Sequence, residues 1–597
     1  MNLIMKKILN ILICLPLIFA VYCLSSCEDE ILEQTNPNAL TDGNFWITNT
    51  DFDMATNSMY GALQLPHVRG GETSWYMLRS DFGGTEAWYY RGYCNFKYTD
   101  SDNHSTGTWS EYYIGVFRAN QILHYLNESN ELTDAQKLNY EAQARCMRGI
   151  EYFWLGKDFN QAIIRSSLPT VAEMDEELSS QKDVYDFAIE ELKFAQKNLP
   201  KTWPDSDKGR FTWGVATATL GKVYLFEKDY TNAAKCFKAI IDSKLYTLVP
   251  NYIDNFTSAN EFNSESIFEI AFSDNYKEGA NGNNHDETNG SECNTWPSAL
   301  ATLAAGGYNT ALPSYWLIGM LQFADEIDPE NTINEGFTHS QRSYATIVTK
   351  DSDGDYYQSP LITETLPDGT VNKTKTPFTN GQAAYIRKWT DWMSKDKEDT
   401  STGRRSGVNW REIRYADVLL MYAECLLNQD NVTDAITYID QVRKRAGVYT
   451  LQHYMDVNGG KIPKLDVSLY MNDLDTYPLV DATAENVLHH LQMVERPTEL
   501  AFEGHRWDDL VRWGIVDQVF QERREEEKKL CKKLTGDENL ASPTTGEDVP
   551  PFYLGKIRMD FLVKLANYIP SEHNYLPIPS LEKQLNNTLS NNNNEEE

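Results

Sequence analysis

The chain has 597 residues, of which 87 are acidic and 54 basic, for a formal net charge of −33. A chain this acidic has no surplus of Lys and Arg with which to neutralise phosphates, which excludes sustained binding to nucleic acid and repels anionic lipid headgroups. Its length allows a large core, and its 34 Tyr and 14 Trp suit a surface that stacks on sugars or peptides, although most of those rings belong to the core.

Residues 1–26 read as an export leader. Lys6 and Lys7 supply the positive start, and the apolar run from Ile8 to Leu24 is interrupted by Pro16 and too short to span a bilayer. Leu24-Ser25-Ser26-Cys27 resembles the lipobox of bacterial lipoproteins, in which the cysteine is acylated and becomes the mature N-terminus; secretory cleavage nearby is the competing reading. The acidic cluster Glu28-Asp29-Glu30 resembles the signal that sends lipoproteins of Bacteroidetes to the outer face of the outer membrane, with a solvated linker as its alternative. Acyl chains would hold the protein there without a transmembrane helix. Of nine cysteines, none forms a CxxC or stands at metal spacing from a His, and Cys146, Cys236 and Cys425 fall in helical patterns as small buried residues.

Residues 36–65 predict a capped helix packed through Phe52, Ala55 and Met59. Residues 66–106 are rich in Gly and rings and have no helical period. Helices are expected from Trp109 to Leu126 and from Thr133 to Trp154. Within 210–243, Leu220, Gly221, Tyr224, Ala233 and Phe237 reproduce the L-G-x2-Y and A-x3-F core of the tetratricopeptide repeat, with Thr217 where the repeat usually has Trp. Residues 251–406 turn irregular again, and a stretch that long without a period points to function.

From 409 to 447 the pattern returns. Ile413, Ala416, Leu420, Ala423 and Leu427 share one helical face, and Thr433 is placed to cap a second helix ending at Gly447. Aligned without a gap, the two hairpins pair Gly221 with Ala423 and Phe237 with Ile439. Such a hairpin cannot bury its apolar face alone, so a stack is expected. Residues 485–514 predict two helices separated at Pro497, NYLPIP (574–579) a short extended segment, and the Asn- and Glu-rich tail disorder.

Five segments then point one way: 109–123, 265–272 (ESIFEIAF), 414–424 (RYADVLLMYAE), 496–514 and 574–579. In this order, behind a lipobox, they resemble the RagB/SusD family, the surface nutrient-binding lipoproteins of Bacteroidetes. The resemblance implies a mostly α, SusD-like fold as one domain over 27–597. Its tetratricopeptide-like scaffold would lie mainly in 107–250 and 409–514, and its irregular binding half mainly in 66–106 and 251–406. It further implies no catalysis, a lipid anchor at Cys27, an oligosaccharide cargo (peptide in some members), and a SusC-like TonB-dependent transporter as partner.

A sugar ring lays its C–H face on an aromatic ring and needs a few polar partners for its hydroxyls. In the first irregular stretch Trp75, Trp88, Tyr89 and Tyr90 flank Gly83-Gly84, with Asp81 and Arg91 as hydroxyl partners. In the second, Trp296, Tyr308, Tyr315 and Trp316 flank Gly306-Gly307. For each of these rings, core packing is an equal competitor. Asp351, Asp353 and Asp355 lie on a loop that could offer calcium three carboxylates, but without EF-hand spacing it reads better as a solvated turn, so no cofactor is expected. A surface glycoside hydrolase is the rival class, and no GxSxG, HExxH or Cys/His constellation favours it.

Overall fold

Side-chain caps mark where many of the helices begin. Thr48 and Thr133 each accept the N–H three residues on, and Asp51 and Gln136 return the bond, a reciprocal capping box. Ser180, Thr212, Asp229 and Asn431 cap later helices in the same way from one side. The computed structural model describes residues 45–71, 74–168, 170, 174–274, 292–361, 378, 381–398, 406–539, 543–544 and 555–592. The leader and Cys27 lie outside them. No helix among the described residues is long and apolar enough to cross a membrane.

The scaffold helices are α1 (Asn49–Gly61), α2 (Asn103–Glu128), α3 (Asp134–Phe159), α4 (Gln181–Asn198), α5 (Trp213–Phe226), α6 (Tyr230–Ser243), α7 (Tyr415–Leu427) and α8 (Val432–Arg445). From α2 to α8 each packs on the next, so α7 docks on α6 although 171 residues of chain separate them. The architecture is mostly α. Gly221 of α5 faces Phe237 of α6, and a Cβ there would stand 2.6 Å from the ring, so the small residue of the repeat pattern is what lets the pair close. The six described cysteines are buried.

Three expectations about local structure need correction. α2 starts at Asn103, six residues before Trp109. Thr433 lies inside α8, whose cap is Asn431. Pro497 does not separate two helices: a wide π turn over Leu491–Glu495 precedes it, and the helix continues through Glu499. The π turn shifts the hydrogen-bond ladder just before the residue that lacks an N–H, and the break comes only beyond Leu500.

Strands β1 (Ser266–Ile270) and β2 (Trp410–Arg414) pair antiparallel, Ser266 opposite Arg414 and Ile270 opposite Trp410, with a bulge near Phe268. The irregular excursion leaves from β1 and returns through β2 straight into α7. Its root is held by charge. Arg414, buried at the β2–α7 junction, reaches Glu265 at 2.8 Å, Glu499 at 2.6 Å and Glu503 at 2.7 Å. Arg445 spans Glu265 and Glu499, and Lys388 joins Glu503 at 2.9 Å. A second group ties Asp417 and Glu424 of α7 to Arg496 and Arg512. The motif segments 414–424 and 496–514 therefore meet through buried ion pairs, each charge with a partner that offsets its desolvation. Arg506 and Arg512 lie on α9 (Arg506–Trp513), which leads into α10 (Val516–Thr535); α11 (Asp560–Asn567) packs on α10.

Candidate ligand-binding site

The two ring-rich stretches do come together. Gly83 and Gly84 pair antiparallel with Pro313 and Leu312. Neither glycine tolerates a side chain: a Cβ on Gly83 would stand 2.5 Å from the Leu312 carbonyl oxygen, and one on Gly84 would run into the Asp560 carboxylate. Beyond this pair the chain makes a 3-10 turn, Trp88–Tyr90, at the surface.

That turn sorts its rings. Trp88 is 79% exposed and Tyr89 41%, and they meet edge to face with centroids 5.6 Å apart and planes at 88°. Tyr90 points inward, 4% exposed, against His104 at 5.2 Å. Burial holds the His104 imidazole down to about 3, so it is neutral beneath the turn. Arg91 is exposed and donates to the Glu86 carbonyl at 3.1 Å. The Glu86 carboxylate meets the Lys556 ammonium at the surface. Partial burial pushes the Glu86 carboxyl up, but the bond and charge of Lys556, with Gln382 and Arg558 behind, hold it below its usual value. Trp88 and Tyr89 thus stand beside an exposed carboxylate, ammonium and guanidinium, the acceptors and donors that hydroxyls need. Glu86 and Lys556 are 470 positions apart, and nothing in the sequence pairs them.

The remaining predicted site residues are elsewhere. Asp81 is fully buried and takes Arg506 bidentately at 2.7 and 2.8 Å; burial pushes its carboxyl up, and Arg506, Arg523 and Lys564 together hold it low. It has no capacity left for a ligand. Trp296, 3% exposed, stacks on Trp410 at 4.6 Å and donates its indole N–H to the Arg69 carbonyl at 2.8 Å. Tyr315 gives its hydroxyl to the Arg523 carbonyl, and the Trp316 ring is covered by the Arg523 guanidinium at 4.0 Å. Tyr90, Trp296, Tyr315 and Trp316 are therefore buried among core residues, unlike the exposed Trp88. Tyr308 is half-buried. Trp75 falls on the short helix Ser74–Met77, and its side chain lies outside the described residues.

The central acid group of the Asp351–Asp355 loop is taken up by a neighbouring segment of chain. The Asp353 carboxylate accepts the N–H groups of Thr338 and His339 at 3.1 Å and the Thr338 hydroxyl at 2.8 Å. Among the described residues no three or more His, Cys, Asp or Glu converge to hold a metal ion.

The sequence matches the SusD family over residues 264–594 and, over 32–225, a family described as starch-binding and associating with the outer membrane. A SusD-like protein of Bacteroides ovatus is 26% identical over 473 residues, covering 75% of this chain and 78% of its own. Among solved structures, a SusD superfamily protein of Bacteroides vulgatus superposes with a TM-score of 0.66 at 24% identity, over 91% of this chain and 98% of its own. Surface glycan-binding protein A of Bacteroides thetaiotaomicron, in complex with laminarihexaose, is similar with a TM-score of 0.58 at 19% identity, over 90% and 98%.

Proposed function

The chain belongs to the SusD family, and on that premise we propose that it is a cell-surface glycan-binding protein that captures oligosaccharides on the Trp88–Tyr89 turn without cleaving them. The observation that carries this reading is a tryptophan left 79% exposed at the end of a tightly anchored loop, beside an ion pair and a guanidinium. A bare indole in water serves no packing purpose, and its flat face matches the C–H face of a sugar ring. The laminarihexaose bound to the structural neighbour supports an oligosaccharide as the ligand class. Affinity is modest in this reading, since a shallow stacking site buries little area and cargo must be released.

Acylation at Cys27 would hold the protein on the outer face of the outer membrane, and a SusC-like TonB-dependent transporter would receive the glycan. Arg91, Glu86 and Lys556 would hydrogen-bond its hydroxyls. A peptide cargo is the second reading, as for RagB-like members, and an ion pair and a guanidinium beside two rings suit a peptide backbone as well. Native electrophoresis through gels containing single polysaccharides, with a reducing-end assay on the same mixtures, separates the possibilities. Retardation in at least one gel with no new reducing ends is expected. Free migration in every gel would favour peptide, and new reducing ends would establish a hydrolase.

A further inference from the structure

The ligand turn is anchored from the far end of the chain. Lys564, on α11, has no exposed surface, and its ammonium donates to the carbonyls of Leu78 at 2.6 Å, Ser80 at 2.5 Å and Gly83 at 2.8 Å. Three donors meet three acceptors on one loop, so the hydrogen-bonding capacity of the group is used up there. The Asp81 carboxylate, paired with Arg506 and Arg523, attracts the ammonium as well. The N-terminus of α11 is itself fixed: Glu527 of α10 accepts the N–H groups of Phe561 and Leu562, both at 3.1 Å. One turn earlier, Arg558 donates to the carbonyls of Leu312 at 3.2 Å and Pro313 at 2.9 Å, the residues paired with Gly84 and Gly83. A single segment, 558–564, thus holds both strands from which the turn projects.

We propose that Lys564 is a positioning residue for the ligand site: by gathering the carbonyls of Leu78, Ser80 and Gly83 it fixes the backbone that presents Trp88 and Tyr89. The proposal rests on the reading that these two rings take the glycan. Without the ammonium three carbonyls lose their donor at once in a closed space, and the loop must rearrange to find others. Because α11 packs on α10 and not within the stack α2–α8, the disturbance stays local.

The test is hydrogen exchange on the full-length protein, comparing wild type with Lys564→Ala and with Lys564→Met, which keeps the stem and removes the charge. Both variants are expected to speed exchange in peptides covering 78–91 by about tenfold or more, with α3 and α4 unchanged. For Lys564→Ala, propylammonium replaces the lost atoms and is expected to restore protection, whereas 1-propanol is not. Wild-type exchange in either variant, equal rescue by both additives, or rescue by neither overturns the proposal. If Lys564→Ala fails to fold, Lys564→Met carries the comparison. Affinity gels distinguish this failure from that of the functional reading. If Trp88→Ala leaves retardation intact, the site assignment falls whatever the exchange shows. If Trp88→Ala abolishes it and Lys564→Met does not weaken it, the positioning role falls alone.

Discussion

Replacing Trp88 by Ala separates binding from stability more cleanly than any other single change. One face of an indole is somewhat under half of the roughly 150–250 Å² that an aromatic side chain can bury, or about 80 Å². Covering it with a sugar contributes about 2 kcal/mol at about 25 cal/mol per Å², which is about 30-fold in Kd. The folded protein gains little from a ring that is 79% exposed, so Trp88→Ala is expected to change stability by less than about 0.5 kcal/mol. Trp296→Ala is the opposite case: it empties a buried site stacked on Trp410, and is expected to cost about 3–5 kcal/mol. The assay is isothermal titration with the oligosaccharide whose polymer retards wild type most, beside urea unfolding of each variant. Unchanged affinity in Trp88→Ala would refute the reasoning, as would a Trp296→Ala protein that is stable but no longer binds.

Arg414→Met leaves Glu265, Glu499 and Glu503 short of their shared cation and is expected to lower stability by about 3–5 kcal/mol, read from urea midpoints; an unchanged midpoint would deny the network its structural role. Gly84→Ala drives a Cβ into the Asp560 carboxylate and is expected to cost about 1–3 kcal/mol and to weaken glycan retardation together, since strand pair and turn are continuous; retained binding at lowered stability would uncouple them. Stability should also depend on pH in a defined window. Burial pushes Glu265 and Glu412 up, but their arginines hold both down to about 2, and burial with Lys222 holds His505 at about 4. All three sit below their unfolded values, so their contribution is present above those values and lost as pH falls. Burial pushes Glu398 and Glu527 up to about 7, so theirs is complete in acid and lost as pH rises through neutrality. The His and raised-Glu contributions oppose each other between about pH 4.5 and 6.5, and below that only losses remain. The urea midpoint is expected to rise modestly as pH falls from about 7 to 5, because two raised carboxyls outweigh one depressed imidazole, and to fall steeply below about 4.5; a level midpoint down to pH 3 would contradict it.

The scaffold was legible because helical periodicity and side-chain caps are local signals. Leu220, Gly221 and Phe237 announce their hairpin by spacing alone, and the structure packs them as the spacing requires. The motif segments were legible for a different reason: Arg414, Asp417, Glu499 and Arg512 are what the buried ion pairs demand, so the stretches that mark the family are its internal joints. The site was only half legible. Aperiodic sequence rich in rings reads the same whether the rings face water, like Trp88, or are enclosed by loops, like Trp296 and Trp316. What decides is a partner distant in sequence, the Arg69 carbonyl for Trp296 or the Arg523 guanidinium for Trp316. Lys556 and Lys564 enter the same way, as unremarkable lysines until the chain closes on itself. Pro497 misled because the π turn that accommodates it has no sequence signature of its own.

The central claim is that glycan is gripped on an exposed ring pair and not within the buried aromatic core. Fluorine NMR of 5-fluorotryptophan-labelled protein, with the Trp88, Trp296 and Trp316 resonances assigned through single Phe replacements, tests it directly. On titration with a bound oligosaccharide, the Trp88 resonance is predicted to shift while those of Trp296 and Trp316 stay in place. A static Trp88 resonance with movement at Trp296 or Trp316 would contradict the account.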